Sequence, residues 1–451
     1  MDRGPKDHFT ARHYGAKDSR GPLPCFNPTR RHIPLSPAGA KPAPTSDRQT
    51  ADEEKQAAAD DTQGKPTAKA VYHVWRSRDN RKGRHAIAVT QEYATRSALR
   101  PTSSLVESLK GVGKMFVRYP VWDVSYDVAL VYTIGSIVWC INGFFVWYPL
   151  YRPSTEFPGE VTSGGGITAL IGATVFEVGA ALAMLEAVNE NRTDCFGWAL
   201  GKAVEDGLGK AGNGFGKAED ELEKAGDGLE VVAKREPECR HHHGNRRSLL
   251  GVAPPRQRVG AGGKRGESGA EDGVGQEEEE EEDHPQSGGK RRWSWWPSWY
   301  ELRTHYFRDI GFVACLTQMI AATIFWISGI VGVPSILGGL STSVENGIYW
   351  VPQVVGGSGF IISSSLFMLE TQEKWYLPAP NLLGWHIGFW NLVGGTGFCL
   401  CGALGFGSAD PDVEYASTLA TFVGSWAFLL GSLIQLFESL NKYPISVVKA
   451  T

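Results

Sequence analysis

Apolar and polar blocks alternate along this chain of 451 residues. Six apolar blocks, each of about 20 to 28 residues, lie between stretches rich in charged residues, proline and glycine. A helix of roughly 20 apolar residues is long enough to cross the hydrocarbon core of a bilayer. The pattern therefore predicts six transmembrane helices, near residues 128–150, 164–187, 310–335, 351–370, 385–407 and 416–438.

Short linkers join these helices into three hairpins, and the second helix of each hairpin repeats one pattern. A small residue, a phenylalanine, a second small residue and a glutamate stand at offsets 0, 4, 7 and 14: Gly172, Phe176, Gly179 and Glu186, then Gly356, Phe360, Ser363 and Glu370, then Gly424, Phe428, Gly431 and Glu438. These offsets are close to whole turns, so the four residues share one stripe of the helix. Because small residues let helices approach closely in lipid, we interpret six of them as helix-packing residues: Gly172, Gly179, Gly356, Ser363, Gly424 and Gly431.

The first helix of each hairpin carries a weaker repeat. An aromatic residue precedes a glycine by four positions, and a polar residue stands seven positions before each aromatic: Tyr132, Gln318 and Asn391. A buried amide can add an interhelical hydrogen bond of about 0.6–2 kcal/mol. We therefore interpret Gln318 and Asn391 as hydrogen-bonding links between helices, and the alternative is that they line a polar path through the bundle.

Glu177 lies in the middle of a predicted span, where an acidic side chain costs about 2.5–3.5 kcal/mol. Its repeat equivalents are Ile361 and Leu429, so the packing stripe does not require it. We expect Glu177 to face the interior, to be protonated, or to pair with a polar neighbour such as Asn142. A functional site and a neutral acid bonded to a neighbouring helix are both left open.

Glu186, Glu370 and Glu438 stand at the predicted cytosolic ends of their helices, where a negative charge opposes the helix dipole. One explanation is pairing with basic residues such as Lys374 or Lys442, or with exposed amides of a neighbouring segment. A second is an acidic ring that gathers cations at the mouth of a pore. A third is that these glutamates only mark the membrane interface.

The chain outside the hairpins is polar. Residues 1–100 are predicted to be a disordered N-terminal region, although the alternation V-Y-H-V-W at 71–75 hints at a short strand. Residues 101–190 are predicted to hold an amphipathic helix on the membrane surface and the first hairpin. A low-complexity loop (191–300), the second hairpin (301–377) and the third hairpin (378–445) follow. The predicted fold class is an all-α membrane protein with disordered polar tails and a long disordered cytosolic loop.

The distribution of basic residues sets the predicted orientation. Lysine and arginine are concentrated before the first span, at both ends of the long loop and after the last span, whereas the loops on the other side hold only Arg152. Loops rich in lysine and arginine stay in the cytosol. Both termini and the long loop are therefore predicted to be cytosolic, in a membrane that the sequence does not specify.

Motifs for catalysis are missing from the sequence. The patterns GxxxxGK[ST], HExxH and GxSxG do not occur, and the seven cysteines form no CxxC pair. We therefore expect no catalytic residue, no cofactor and no metal site, and the chain is not predicted to be an enzyme. The net charge of −4 argues against a nucleic-acid partner.

Two sequence blocks carry a family resemblance. G-F-W-N-L-V-G-G-T-G-F-C-L-C-G-A-L-G-F (388–406) and F-V-G-S-W-A-F-L-L-G-S-L-I-Q-L-F-E-S-L (422–440) resemble the uncharacterised multi-pass integral membrane proteins of filamentous fungi. The core G-S-x-x-F-L-x-G-S-L also resembles the bacterial YrhK-type hairpin domain, and Gly424, Phe428, Gly431 and Ser432 match its small-residue face. The resemblance implies a membrane hairpin fold and brings no activity and no catalytic residue.

The sequence thus favours a multi-pass, non-enzymatic membrane protein with a transport or channel-like role. The alternative is a membrane-organising scaffold that recruits protein partners through its long loop. The lipid bilayer is the predicted partner in both cases. A homo-oligomer stays open, because small-residue faces can close within one chain or across copies.

Overall fold

The computed structural model describes residues 19–34, 71–96, 100–190, 192–201, 203–204 and 293–448. This part of the chain is mostly helical and contains six helices that are long and apolar enough to cross a bilayer. Each of the six overlaps one predicted segment, and they run over Val124–Tyr151, Glu160–Val188, Ile310–Val331, Thr342–Thr371, Leu383–Gly405 and Pro411–Leu440. The six apolar helices predicted from the sequence are therefore confirmed.

The helices are numbered here in chain order. They are α1 (Ser77–Arg81), α2 (Gln91–Arg96), α3 (Leu105–Val117), α4 (Val124–Val146), α5 (Tyr148–Tyr151), α6 (Gly166–Val188), α7 (Trp299–Thr304), α8 (Ile310–Val331), α9 (Pro334–Leu337), α10 (Thr342–Glu345), α11 (Val351–Thr371), α12 (Leu383–Gly405) and α13 (Pro411–Leu440). The bodies of the six spans are α4, α6, α8, α11, α12 and α13. Turns of π-helix at Glu160–Gly165 and Asn346–Trp350 lengthen the second and fourth spans.

Aspartates begin three of the spanning helices. The carboxylates of Asp123, Asp309 and Asp410 accept hydrogen bonds of 2.9–3.0 Å from backbone N–H groups in the first turns of α4, α8 and α13. The first N–H groups of a helix have no partner within the helix, so a capping carboxylate satisfies them and also suits the helix dipole.

The six spanning helices form a closed ring. Each helix packs against the next one in sequence, from α4 to α6, α8, α11, α12 and α13, and α13 packs against α4. The small residues of the predicted packing stripe lie at these contacts. A Cβ atom added to Gly172, Gly179, Gly356, Gly424 or Gly431 would come within 2.7–3.0 Å of the first helix of the same hairpin. Ser363 is buried as well.

Two layers of aromatic side chains fill the inside of the ring. We call them the outer triad (Trp139, Phe325 and Phe398) and the inner triad (Phe176, Phe360 and Phe428); all six side chains are buried. Ring centroids lie 4.8–5.8 Å apart within the outer triad and 5.5–6.1 Å apart at the two ring contacts within the inner triad. The layers touch through Phe398 and Phe428 at 5.3 Å. Aromatic pairs at these separations stabilise a core by about 0.5–1.5 kcal/mol beyond their burial.

A small sheet lies outside the ring, so the all-α class predicted from the sequence is wrong in this respect. Its strands are ordered β1 (Ser19–Arg20), β2 (Arg30–Pro34), β3 (Val71–Arg76), β4 (Ala86–Thr90) and β5 (Ile445–Val448). Neighbouring strands are antiparallel except β4 and β5, which are parallel with Ile87 opposite Ile445. The hint of a strand at 71–75 is confirmed by β3. The prediction that residues 1–100 are disordered is wrong for 19–34 and 71–96, because they pair with each other and with the C-terminal β5.

Candidate functional site: a charged cluster and an enclosed cavity

A short cationic stretch between β3 and β4 enters one end of the helix ring. We call residues 77–84 the basic segment, and its four cations are Arg78, Arg81, Lys82 and Arg84. The antiparallel pairing of β3 with β4 holds both ends of the segment, and Gly83 turns the chain with a φ of +59°. That conformation suits glycine. All four cations are between 1% and 8% exposed, so the segment is inserted and does not lie on the surface.

Each of the three repeated glutamates pairs with a different cation of the basic segment. The closest ion-pair distances are 2.8 Å for Arg78–Glu438, 2.6 Å for Arg81–Glu370 and 3.1 Å for Lys82–Glu186. The three glutamates are only 1–2% exposed. We call this end of the ring the charged end. The glutamates therefore share one set of partners, and those partners come from outside the ring.

Of the three explanations for the glutamates, pairing with basic residues describes this arrangement, but the expected partners were wrong. Lys442 pairs with Asp123 at 2.6 Å, and Lys374 lies over the ring of Tyr376. The true partners belong to a region predicted to be disordered. A signal for them was present, because R-D-N-R-K-G-R (78–84) places four cations in seven residues directly after the strand pattern.

Residues near the C-terminus hold the basic segment in place. The ammonium group of Lys442 donates to the carbonyl oxygen of Lys82 at 2.7 Å, and the guanidinium of Arg84 donates to the carbonyl oxygen of Asn441 at 3.1 Å. Arg84 also pairs with Asp79 and Glu438. The turn that carries the four cations is thus fixed against the end of α13.

The charges of the cluster are balanced. Four cations face four carboxylates: Asp79, Glu186, Glu370 and Glu438. Burial lowers the pKa of Arg78, but the facing Glu438 and the nearby Glu370 together outweigh burial and the net shift is upward. Arg81 behaves in the same way toward Glu370, and its pKa lies well above the ordinary value. Burial lowers the pKa of Lys82, and Glu186 does not fully offset that effect.

The three pairs are not equally strong. Glu438 accepts hydrogen bonds from Arg78 at 2.8 and 3.3 Å and from Arg84 at 3.0 Å. Glu186 lies 3.1 Å from Lys82 through Oε1, but this contact lacks hydrogen-bond geometry, and its aligned contact through Oε2 is 3.5 Å long. Because charge-assisted hydrogen bonds are strongest near 2.7–2.9 Å, Glu186 is the most weakly held of the three glutamates.

A cavity of about 40 Å³ lies inside the ring beside the charged cluster. Arg78, Arg81, Lys82 and Glu186 bound it at the charged end, and the inner triad bounds it on the opposite side. The polar residues Tyr132, Gln318 and Asn391, one from the first helix of each hairpin, line its wall. A volume of this size holds about three water molecules.

Several polar groups of the cavity wall are available for hydrogen bonding. Gln318 donates to the hydroxyl of Tyr132 at 2.7 Å, which links α8 to α4. Asn391, Ser364 and Gln435 also line the cavity, and none of these three side chains makes a hydrogen bond to another described residue. Buried polar groups almost always have a partner. The cavity is therefore suited to water or to a small hydrogen-bonding molecule.

Glu177 is not among the residues that line this cavity. It is half-buried on α6, and its Oε1 accepts a hydrogen bond of 2.9 Å from the hydroxyl of Thr323 on α8. Its Oε2 is buried and has no hydrogen-bond partner among the described residues. The expected pair with Asn142 does not form, because the Asn142 amide donates to the Gly165 carbonyl and the Thr168 hydroxyl.

The comparisons with known proteins give no match. No protein-family model, no curated protein and no solved structure matches the chain. Within the described residues, no group of three or more His, Cys, Asp or Glu side chains is placed to hold a metal ion. The resemblance to fungal membrane proteins and to YrhK-type hairpins stays a prediction.

Proposed function

We propose that this chain is a multi-pass membrane protein that carries a small polar solute along the axis of its helix ring. The observation that carries the proposal is the cavity inside the ring of six apolar helices, which has several polar groups in its wall. It lies between two closures, the basic segment at the charged end and the two aromatic triads on the other side. Ligand sites in helix bundles form between the helices, with a few polar groups in an otherwise apolar wall. In this proposal the structure is the closed state of the carrier.

The ring is built from three related hairpins in this proposal. Residues at equal positions of the three sequence repeats occupy successive layers: Tyr132, Gln318 and Asn391 on the cavity wall, the inner triad at its base, and the three glutamates at the charged end. Substrate sites at the interface between internal repeats are common among transporters. A threefold repeat gives each layer three chemically related side chains around one axis.

The chemistry of the wall supports a class of solute for this proposal. The cations and carboxylates at the charged end neutralise each other, and the free groups are the amides of Asn391 and Gln435 and the hydroxyl of Ser364. Amides and hydroxyls bind neutral molecules that both donate and accept hydrogen bonds. A solute of about the size of two or three waters fits, and urea and water itself are the simplest probes.

Passage requires both closures to open. The basic segment must leave the charged end, and the side chains of the two aromatic triads must separate. Conformational gating of this kind takes place on microsecond to millisecond timescales. Transport is therefore expected to be slow compared with an open pore.

The test is solute flux in proteoliposomes. Wild-type protein should accelerate urea or water permeation over protein-free vesicles, and Asn391→Leu should reduce that acceleration at least about tenfold because an apolar side chain removes a wall amide. Thr396→Val on the same helix is the matched control, because Thr396 is exposed and bonds only to its own helix. Equal flux with protein-free vesicles for both urea and water would end the proposal.

The scaffold alternative rests on a different observation. The charged cluster is balanced and the aromatic triads are densely packed, which also suits a bundle that does not move. A scaffold would bind partners through the 191–300 loop, most of which lies outside the described residues. A scaffold should show no flux above protein-free vesicles, and deletion of residues 205–290 should remove its co-purifying proteins. A carrier should keep its flux after the same deletion.

A further inference from the structure

Helix α3 (Leu105–Val117) packs on the charged end of the ring and leaves a large apolar face uncovered. Its first residues are tied to the sheet, because the backbone N–H of Thr102 donates to the Ile445 carbonyl and the Thr102 hydroxyl accepts from the Ile445 N–H. Ser104 caps the helix by accepting from the N–H of Glu107. The position of α3 is therefore fixed by the sheet as well as by the ring.

One face of α3 contacts the last spanning helix. A Cβ added to Gly111 would lie 2.4 Å from the ring of Phe437, and Met115 packs against a buried cluster that includes Leu436 and Leu440. These residues belong to the final turns of α13, a helix apolar enough to cross the membrane. Helix α3 thus lies at the level where this span ends.

A second face is apolar and exposed. Leu105, Leu109 and Phe116 are 75%, 63% and 72% exposed, and Val112 between them is 45% exposed. At about 100° per residue these four side chains share one side of the helix, roughly 120° from the side that contacts α13. An apolar stripe of this size is seldom left in water, and it marks an interaction surface.

A third face carries the cations. Lys110 and Lys114 stand on it, roughly 140° from the apolar stripe, and Arg118 follows the helix. The exposed Val106 and Val117 lie at the edge of this face, between the cations and the apolar stripe. All three are exposed, and Lys110 pairs with Glu107 at 2.8 Å. The helix therefore has three sides: one contacts α13, one carries the apolar stripe and one carries the cations.

We propose that α3 lies in the membrane interface and binds anionic lipid headgroups. The apolar stripe enters the acyl boundary, Lys110, Lys114 and Arg118 reach the headgroups, and the third side rests on α13. Interfacial amphipathic helices show the same division into apolar and charged sides. Because α3 contacts the last turns of α13, it lies at the depth in the membrane where that span ends. The occupant of the apolar face is the bilayer, because the cations on the polar side of the same helix match an anionic surface and not an apolar protein partner.

The test follows amide hydrogen exchange of residues 105–117 in the full-length chain. The protein is placed in nanodiscs of phosphatidylcholine alone or of phosphatidylcholine with phosphatidylglycerol, at one chain per disc. A helix as short as α3 exchanges quickly unless packing protects it. We expect protection in both discs and exchange about tenfold slower in the anionic ones.

Two variants separate the two parts of the proposal. The double substitution Leu109→Glu and Phe116→Glu should remove protection in both kinds of disc, whereas Lys110→Gln with Lys114→Gln should remove only the dependence on phosphatidylglycerol. Lys374→Gln is the matched control, since it removes an exposed cation from the loop after α11 and should change neither.

Three outcomes would overturn the proposal. The first is identical exchange in wild type and in the double glutamate variant. The second is protection that does not depend on phosphatidylglycerol. The third is protection that appears only at two chains per disc, which would assign the apolar face to a second copy. Unchanged exchange in α8 and α13 shows that each variant keeps its fold.

Discussion

The two closures of the cavity use opposite chemistry. At the charged end, three glutamates of the ring meet cations that arrive on a separate segment, and ion pairs join the two. On the other side, the inner and outer triads close the ring with its own aromatic side chains. The sequence repeat supplies three equivalent positions in both places. The aromatic layers are self-complementary, whereas three like charges cannot pack together and need a partner from elsewhere.

This difference predicts how each closure responds to change. A buried ion pair contributes little net stability, but removing one partner strands the other charge in a low-dielectric site. Truncation of a side chain in an aromatic layer lowers the free energy of unfolding in proportion to the buried surface and volume that are removed. The charged closure should therefore be sensitive to single charges and to pH, and the aromatic closure to volume alone.

Removal of Arg81 should have the largest effect. Arg81→Ala leaves Glu370 buried without its cation, and we expect a loss of about 3–5 kcal/mol in the free energy of unfolding. Thermal unfolding in detergent measures it, with Lys374→Ala as the control for loss of an exposed cation. The combination of Arg81→Ala with Glu370→Gln should recover part of the loss. Equal unfolding temperatures for Arg81→Ala and Lys374→Ala would show that Glu370 does not need Arg81 to stay buried.

Truncation of the outer triad comes next. Phe398 is 1% exposed and contacts the rings of Trp139, Phe325 and Phe428. Phe398→Ala should cost about 3 kcal/mol, without any change in the pH dependence of unfolding. Phe406→Ala changes an exposed side chain directly after the same helix and should cost less than about 1 kcal/mol. A pH-dependent loss at Phe398 would contradict the division between the two closures.

The glutamates should differ among themselves. Glu438→Gln removes a carboxylate that accepts three hydrogen bonds from arginines. Glu186→Gln removes one that accepts a single long hydrogen bond from Lys82 and lies 3.8 Å from Arg81. We expect Glu438→Gln to lose about 1–2 kcal/mol more than Glu186→Gln. The same unfolding assay measures both, and equal losses would show that hydrogen-bond geometry does not rank the pairs.

Acid should loosen the charged closure slightly through His85, which follows the basic segment. Burial and the nearby Lys442 lower the pKa of His85 below its ordinary value of about 6.5. Just below pH 6.5, His85 therefore binds a proton in the unfolded state and stays neutral in the folded state. The contribution of neutral His85 to the free energy of unfolding is therefore fully present above pH 6.5. It is lost as the pH falls from 6.5 toward the lower pKa of the folded state.

Hydrogen exchange of residues 71–96 between pH 7.5 and pH 5, corrected for the intrinsic rate, measures this change. His85→Gln should abolish the acid effect, because glutamine stays neutral. An unchanged acid response in that variant would assign the effect to another group.

The repeat in the sequence was enough to place the aromatic layers but not the charged cluster. Phe176, Phe360 and Phe428 stand at equal offsets on apolar helices, and the helical period alone puts them on one side. The partner of Glu438 is Arg78, 360 residues earlier in the chain. No local period links two such positions, so only the folded chain shows them together.

The sheet escaped sequence analysis for a similar reason. The strand β3 alternates visibly, but β4 pairs with β5 at the other end of the chain, with Ile87 opposite Ile445. Short strands that depend on distant partners carry little signal of their own. Polar composition around them then suggested disorder. Asn391 illustrates a remaining ambiguity, because the sequence allowed both a helix link and a polar path, and it lines the cavity without a described hydrogen bond.

The distance along the chain between Arg78 and Glu438 has a consequence for biosynthesis. A ribosome makes the arginine first and the glutamate more than three hundred residues later, so the nascent protein carries its cations through the insertion of every helix before the last carboxylate emerges. Final assembly therefore waits for the end of translation. A truncated product would expose unmatched charge at the membrane, where quality-control proteases could recognise it.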